Sequence, residues 1–129
     1  MDEKLYQAGL ETRREVVGAE YVARSMKKNP FTDEFQKMVT EYAWGAVWTR
    51  PGLPRKTRSM LNLAMLTALN RPHELRLHLR GALTNGVTKE EIAEIFLQAL
   101  IYCGAPAAND SFRIAKEVFR ELEQATAAD

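Results

Sequence analysis

Apolar residues recur along this chain at spacings of three and four, with Gly, Pro and Asn where helices would start or stop. Residues 2–17 form an amphipathic stretch that ends at Gly18, a residue suited to the turn that closes a helix. Residues 19–28 predict a short second helix before Asn29-Pro30. Phe35, Met38, Val39, Tyr42, Ala43, Ala46 and Val47 then mark one apolar helical face about three turns long. The turn Arg50-Pro51-Gly52-Leu53-Pro54 breaks the chain, and Pro54 suits a first helical position.

The run from Met60 to Leu66 is apolar on nearly every side, so the helix that carries it is predicted to be central. Asn70 and Pro72 separate it from a helix that ends at Asn85-Gly86. Thr88-Lys89-Glu90-Glu91 matches a capping box, with Val87 and Ile92 placed for a hydrophobic staple. That helix runs through Ile95, Phe96, Ala99 and Leu100 toward Gly104 and Pro106, and a last one carries Ile114, Ala115, Val118, Phe119 and Leu122. No alternating strand pattern competes, and the class is all-α, a single-domain bundle of about six to seven helices over residues 1–129.

Composition narrows the field. No apolar run approaches the roughly 18 residues of a membrane span, and the charged start lacks the apolar core of a secretory signal. One cysteine, Cys103, excludes an intramolecular disulfide framework, so the cytoplasm is the expected location. Basic residues number 18 and acidic ones 17, yet the balance is uneven. Arg50, Arg55, Lys56, Arg58, Arg71, Arg76 and Arg80 share the middle of the chain with one acid, Glu74, and both histidines. The flanks are correspondingly acidic, and a near-neutral total without a basic stripe or recognised motif argues against nucleic acid as a partner.

Several of these cations fall at helix starts, where the helix dipole already disfavours positive charge. Their placement makes sense if an anion joins them, and Arg50, Arg58, Arg71 and Arg80 are the candidate binding residues. The alternative is a solvated surface, or ion pairs with acidic flanks of a neighbouring subunit. His78 falls close to the inward stripe of its helix, one turn after Glu74. A carboxylate there can orient the imidazole and raise its pKa toward working pH, as general acid–base chemistry requires. A structural histidine bonded to Glu74 is the plainer alternative. Trp44 and Trp48, four apart, suit either the wall of a pocket or core packing. Cys103 lies at the wrong end of a helix for a reactive thiol and reads as a small buried hydrophobe. No metal-ligand spacing or glycine-rich phosphate loop occurs, and neither metal nor cofactor is called for.

The segment from Trp44 to Leu53 resembles the WGxxWTRPGL segment of the carboxymuconolactone decarboxylase family. Thr57-Arg58-Ser59, Asn70-Arg71-Pro72, the stretch Glu74 to Arg80, Asn85 to Thr88 and Ile101 to Asn109 continue the likeness, which spans about residues 2–120. The related AhpD-like hydroperoxidases carry a CxxCxxxH motif; here Arg71 and Glu74 stand where its cysteines would be, leaving thiol–disulfide turnover without reagents. A peroxidase of that kind, or another small-anion-binding oligomer of the same fold, is the competing reading. The resemblance implies an AhpD-like helical fold that assembles as trimers or a hexamer. It also implies decarboxylation of a small anionic lactone, 4-carboxymuconolactone, in the protocatechuate branch of aromatic degradation. His78 and Glu74 would be catalytic, and Arg50, Arg58, Arg71, Arg80, Trp44 and Trp48 would contact the substrate.

Overall fold

A computed structural model describes residues 2–128, which form seven α-helices and one π-helical stretch. The helices are α1 (Glu3–Val17), α2 (Ala19–Ser25), α3 (Asp33–Met38), α4 (Arg55–Ala68), α5 (Pro72–Thr84), α6 (Lys89–Cys103) and α7 (Ala105–Ala128), and the π-helical stretch, Val39–Val47, continues α3. No strand occurs among the described residues, so the all-α class holds. The chain divides into two compact units, one ending at Arg55 and one beginning at Lys56.

In the first unit α1 starts at Asp2, whose carboxylate accepts from the Leu5 N–H at 3.1 Å, and stops at Gly18 with φ 96°. A positive φ of that size is strained for residues with a Cβ, which is why glycine closes the helix. α1 packs against the π-helical stretch, and two glycines set how closely. A Cβ on Gly9 would lie 2.1 Å from the Thr40 carbonyl oxygen and 2.6 Å from the Gly45 N; one on Gly45 would lie 2.4 Å from the Leu5 carbonyl oxygen. The two backbones therefore touch where side chains would otherwise hold them apart. Beside this contact the buried Arg13 guanidinium donates to Thr40 Oγ1 at 3.1 Å, and the buried Glu41 carboxylate accepts from the Asp2 N–H at 2.9 Å.

The apolar face read from helical spacing does not turn inward. Phe35 is 61% exposed, Met38, Tyr42 and Val47 are exposed as well, and α3 buries none of its side chains. The reason is the winding. The Trp48 N–H reaches the Ala43 carbonyl, five residues back, at 3.0 Å, and this wider turn brings Thr40, Glu41, Trp44 and Gly45 to the inner side. A 3.6-residue template thus selects the outer side. The second helix also stops at Ser25, short of residue 28.

The second unit is built on apolar burial. Leu63 of α4, Leu75, Leu79 and Ala82 of α5, Ile92 and Phe96 of α6, and Ile114, Ala115 and Val118 of α7 form one core. Pro72 opens α5 at its first position, where its missing N–H costs nothing. The capping box at Thr88 is complete: Thr88 Oγ1 accepts from the Glu91 N–H at 3.1 Å, and the Glu91 carboxylate accepts from the Thr88 N–H at 2.9 Å. Val87 and Ile92, the staple pair, both lie in the core.

Three expectations need correction here. α4 is central on one face only: Ser59, Leu63 and Thr67 turn inward, whereas Leu61 and Met65 are exposed. Two buried hydroxyls share that inner face because each has a partner. Thr67 Oγ1 meets Ser111 Oγ of α7 at 2.8 Å, and Asn85 Nδ2 donates to Ser59 Oγ at 2.9 Å. Cys103 is exposed, not buried. α6 turns Phe96 and Ala99 inward and its last turn, from Leu100 to Cys103, outward. Pro54 stands just ahead of α4 rather than inside its first turn.

Candidate active site

α5 presents two chemically different sides. Leu75, His78, Leu79 and Ala82 are buried, while Arg76 and Arg80 turn toward α7. His78 and Arg80, two residues apart, point about 200° away from each other around the helix axis. Arg76 bonds Glu117 and Glu121, and Arg80 bonds Glu121. Burial is partial on both sides of these pairs, so each adds little stability, but together they fix α5 to α7. The Arg76 guanidinium holds the Glu117 carboxyl below its usual range. Part of the basic stretch is thus consumed by the acidic flank of the same chain. Arg55 meets Glu15 at 2.6 Å, and Lys56 meets Glu91 at 3.0 Å.

His78 is 8% exposed. Its Nδ1 lies 3.4 Å from the side-chain amide nitrogen of Asn62 on α4. The side chain of Glu74, half-buried one turn before His78, makes no hydrogen bond or ion pair among the described residues. Within this unit the ring meets Asn62 rather than Glu74. The titration is corrected too. Burial lowers the His78 pKa to about 4, since an imidazolium loses its hydration there, and the ring is neutral at pH 7. Asn62 was the residue that sequence reasoning missed. Its signal was present, as a single amide inside the apolar run from Met60 to Leu66.

The other candidates fall as follows. Arg58, half-buried, sits one turn before Asn62 on α4. Arg71 is exposed immediately before α5; its N–H bonds the Leu66 carbonyl at 3.0 Å and its carbonyl accepts from the Leu75 N–H at 2.9 Å. His78, Asn62, Arg58, Glu74 and Arg71 thus belong to α4, α5 and the turn between them. In the first unit, Trp44 and Trp48 are buried and stacked, ring centroids 4.8 Å apart at 20°. Arg50 is exposed two residues beyond them, its N–H bonded to the Val47 carbonyl at 3.0 Å. Among the described residues no three His, Cys, Asp or Glu side chains gather as a metal site.

A groove of about 790 Å³ runs between α4 and α6. Its walls are apolar, from Met60, Leu61, Met65, Ile95 and Tyr102, and Glu90 and Glu94 lie along it. Carboxylates beside an apolar trough repel an anion, and His78 is not among its lining residues. The cavity and the candidate chemistry are therefore different places.

Known proteins give this arrangement its context. Residues 33–117, from the start of α3 well into α7, match the model of the carboxymuconolactone decarboxylase family. The chain belongs to that family. A 4-carboxymuconolactone decarboxylase of Acinetobacter baylyi is 49% identical over 122 residues, covering 94% of this chain and 91% of its own. A nitrosuccinic acid decarboxylase of Metarhizium robertsii is 41% identical over 120 residues, 92% of this chain and 84% of its own. A 4-carboxymuconolactone decarboxylase sequence of Pseudomonas putida is 49% identical over 47 residues, 35% of this chain and 98% of its own. The α4–α5 region with His78 lies inside the matched family segment.

Proposed function

We propose that this chain is a carboxy-lyase that converts 4-carboxymuconolactone to 3-oxoadipate enol-lactone and carbon dioxide, in the protocatechuate branch of the β-ketoadipate pathway. The observation that carries the reading is the 49% identity, over 94% of the chain, to a decarboxylase named for that lactone.

The substrate holds its own electron sink. When the bond between the ring carbon and its carboxylate breaks, the electron pair passes through the ring double bond onto the lactone carbonyl oxygen. The resulting dienolate takes one proton at the ring carbon next to that carbonyl, and one carbon dioxide leaves. The protein has to grip the acetate arm and stabilise charge on the lactone oxygen. Arg50, Arg58 and Arg71 suit the first task, since a guanidinium fork matches a carboxylate. Arg80, engaged by Glu121, is not assigned a substrate contact.

His78 suits the second task in its neutral form. A preorganised N–H aimed at a developing oxyanion is typically worth roughly 10²–10³ in rate, and it needs no net charge to donate. Glu74 supports the site from one turn away. An indole pair such as Trp44 and Trp48 is chemically suited to a departing carboxylate, for which tight pairing would only stabilise the ground state.

The chain acts as one domain over residues 1–129 and assembles as a cytoplasmic homo-oligomer, a trimer or a hexamer. Support for assembly comes from apolar side chains left in water: Phe31 is 92% exposed, Ile101 74% and Tyr102 80%. Surfaces of that kind mark interaction sites. A monomer by light scattering at assay concentration would remove this part of the proposal.

The deciding experiment supplies freshly generated carboxymuconolactone and follows enol-lactone formation and carbon dioxide release. Turnover of nitrosuccinic acid in its place, with none of the lactone, would keep the reaction class and overturn the substrate. His78→Ala is expected to lower kcat by about 10²-fold or more in a correctly folded protein. Wild-type turnover by that variant would take His78 out of the mechanism.

A further inference from the structure

We propose that Asn62 is a positioning residue for this reaction: its side-chain amide donates to His78 Nδ1, so that Nε2 carries the ring hydrogen that faces the lactone oxygen. The inference rests on the reading of His78 given above and deepens it.

Three observations converge on Asn62. It interrupts an otherwise apolar helical run, and asparagine is a poor helix former that loses hydration when half-buried. A half-buried amide needs partners for its polar atoms. They have one in the His78 ring, with the amide nitrogen 3.4 Å from Nδ1. The ring is buried and neutral, which leaves it one N–H to place.

Which nitrogen holds that proton decides whether the ring can act. With the amide nitrogen toward Nδ1, Nδ1 is the acceptor and Nε2 carries the hydrogen. With the amide oxygen toward Nδ1 the tautomer reverses, and Nε2 becomes a bare lone pair that repels an oxyanion. Only the first arrangement lets neutral His78 stabilise the dienolate. The charged groups around the pair are consistent with a neutral ring. Arg58 is one turn before Asn62 on α4, and burial by itself accounts for the lowered His78 pKa. On α5 Glu74 is one turn before His78, while α7 directs Glu117 and Glu121 to Arg76 and Arg80 on the other side of α5.

The test combines a measurement on the unaltered protein with two variants. Nitrogen-15 NMR of labelled wild-type protein is expected to show the Nε2–H tautomer of His78 at pH 7; an Nδ1–H tautomer would overturn the proposal. Asn62→Leu, branched at the same carbon and apolar, should keep the fold, lose roughly 10- to 100-fold in kcat, and leave KM within about 3-fold. Asn62→Asp places a carboxylate at Nδ1, so the acid limb of its pH profile should move to higher pH while activity partly survives. Wild-type kcat and an unmoved pH profile in both variants would also overturn the proposal. His78→Ala separates the two levels: full turnover there defeats the reading of His78 itself, whereas an inactive His78→Ala beside a fully active Asn62→Leu defeats only the role of Asn62.

Discussion

The two compact units of this chain are held together by different means. From Lys56 onward, apolar side chains from four helices meet in one core around Leu63, Leu79, Phe96 and Val118, beside the buried hydroxyl pair of Thr67 and Ser111. Before that point, α1 and the π-helical stretch approach backbone to backbone at Gly9 and Gly45, and the side chains buried beside them include Arg13, Thr40 and Glu41. The large apolar residues Phe31, Phe35, Met38 and Tyr42 lie outside. The lesson is that burial and hydrophobicity part company when a close backbone contact sets the geometry. The π winding turns Phe35, Met38 and Tyr42 to the surface while Trp44 and Trp48 stay buried, and the outward apolar residues become available to a second surface.

The contrast can be broken in order of size. Phe96→Ala should cost about 3–5 kcal/mol by urea denaturation, because Phe96 is wholly buried and packs edge-on to Phe112 at 5.4 Å. A loss under about 1 kcal/mol would mean that the second unit does not depend on its core.

His78 gives the second unit a pH signature. Its folded pKa is depressed to about 4 from 6.5, so between those values the unfolded chain binds more protons than the folded one. Stability should therefore be complete above pH 6.5 and fall as the pH drops toward 4, by on the order of 3 kcal/mol over the whole window. The difference between wild type and His78→Gln at pH 7.5 and pH 5 isolates this contribution from the carboxylates. Equal pH dependence in the two would place the ring in water.

Gly9→Ala should cost about 2–3 kcal/mol although it adds one methyl group, since that carbon meets backbone atoms that cannot rotate away. A neutral outcome would show that α1 and the π-helical stretch tolerate separation. Phe35→Ser has the smallest expected effect on folding, under about 0.5 kcal/mol, because the side chain is already in water. Its effect should appear instead as weaker assembly by light scattering, and a large loss of stability without change in assembly would reverse the contrast drawn here.

Where the chain starts and stops its helices was legible residue by residue. Gly18, Pro72, the Thr88–Glu91 box and Gly104 act within a few positions of themselves, and the structure uses each as its local chemistry requires. The inward position of His78 was readable for the same reason, because α5 is an ordinary α-helix with an ordinary stripe. The family likeness was readable too, since it rests on the order of residues alone.

Other features depend on what lies across a helix, and spacing along one element says nothing of that. That Asn62 meets the His78 ring and that Arg76 and Arg80 meet the carboxylates of α7 depends on neighbours distant in sequence, and the inward side of Val39–Val47 depends on a winding that a 3.6-residue template does not contain. The exposure of Cys103 is likewise a matter of neighbours distant in sequence. Local hydrogen bonding and capping decide the elements of this protein. Desolvation, ion pairing and the closeness of two backbones decide its faces, and those forces exist only once the elements have come together.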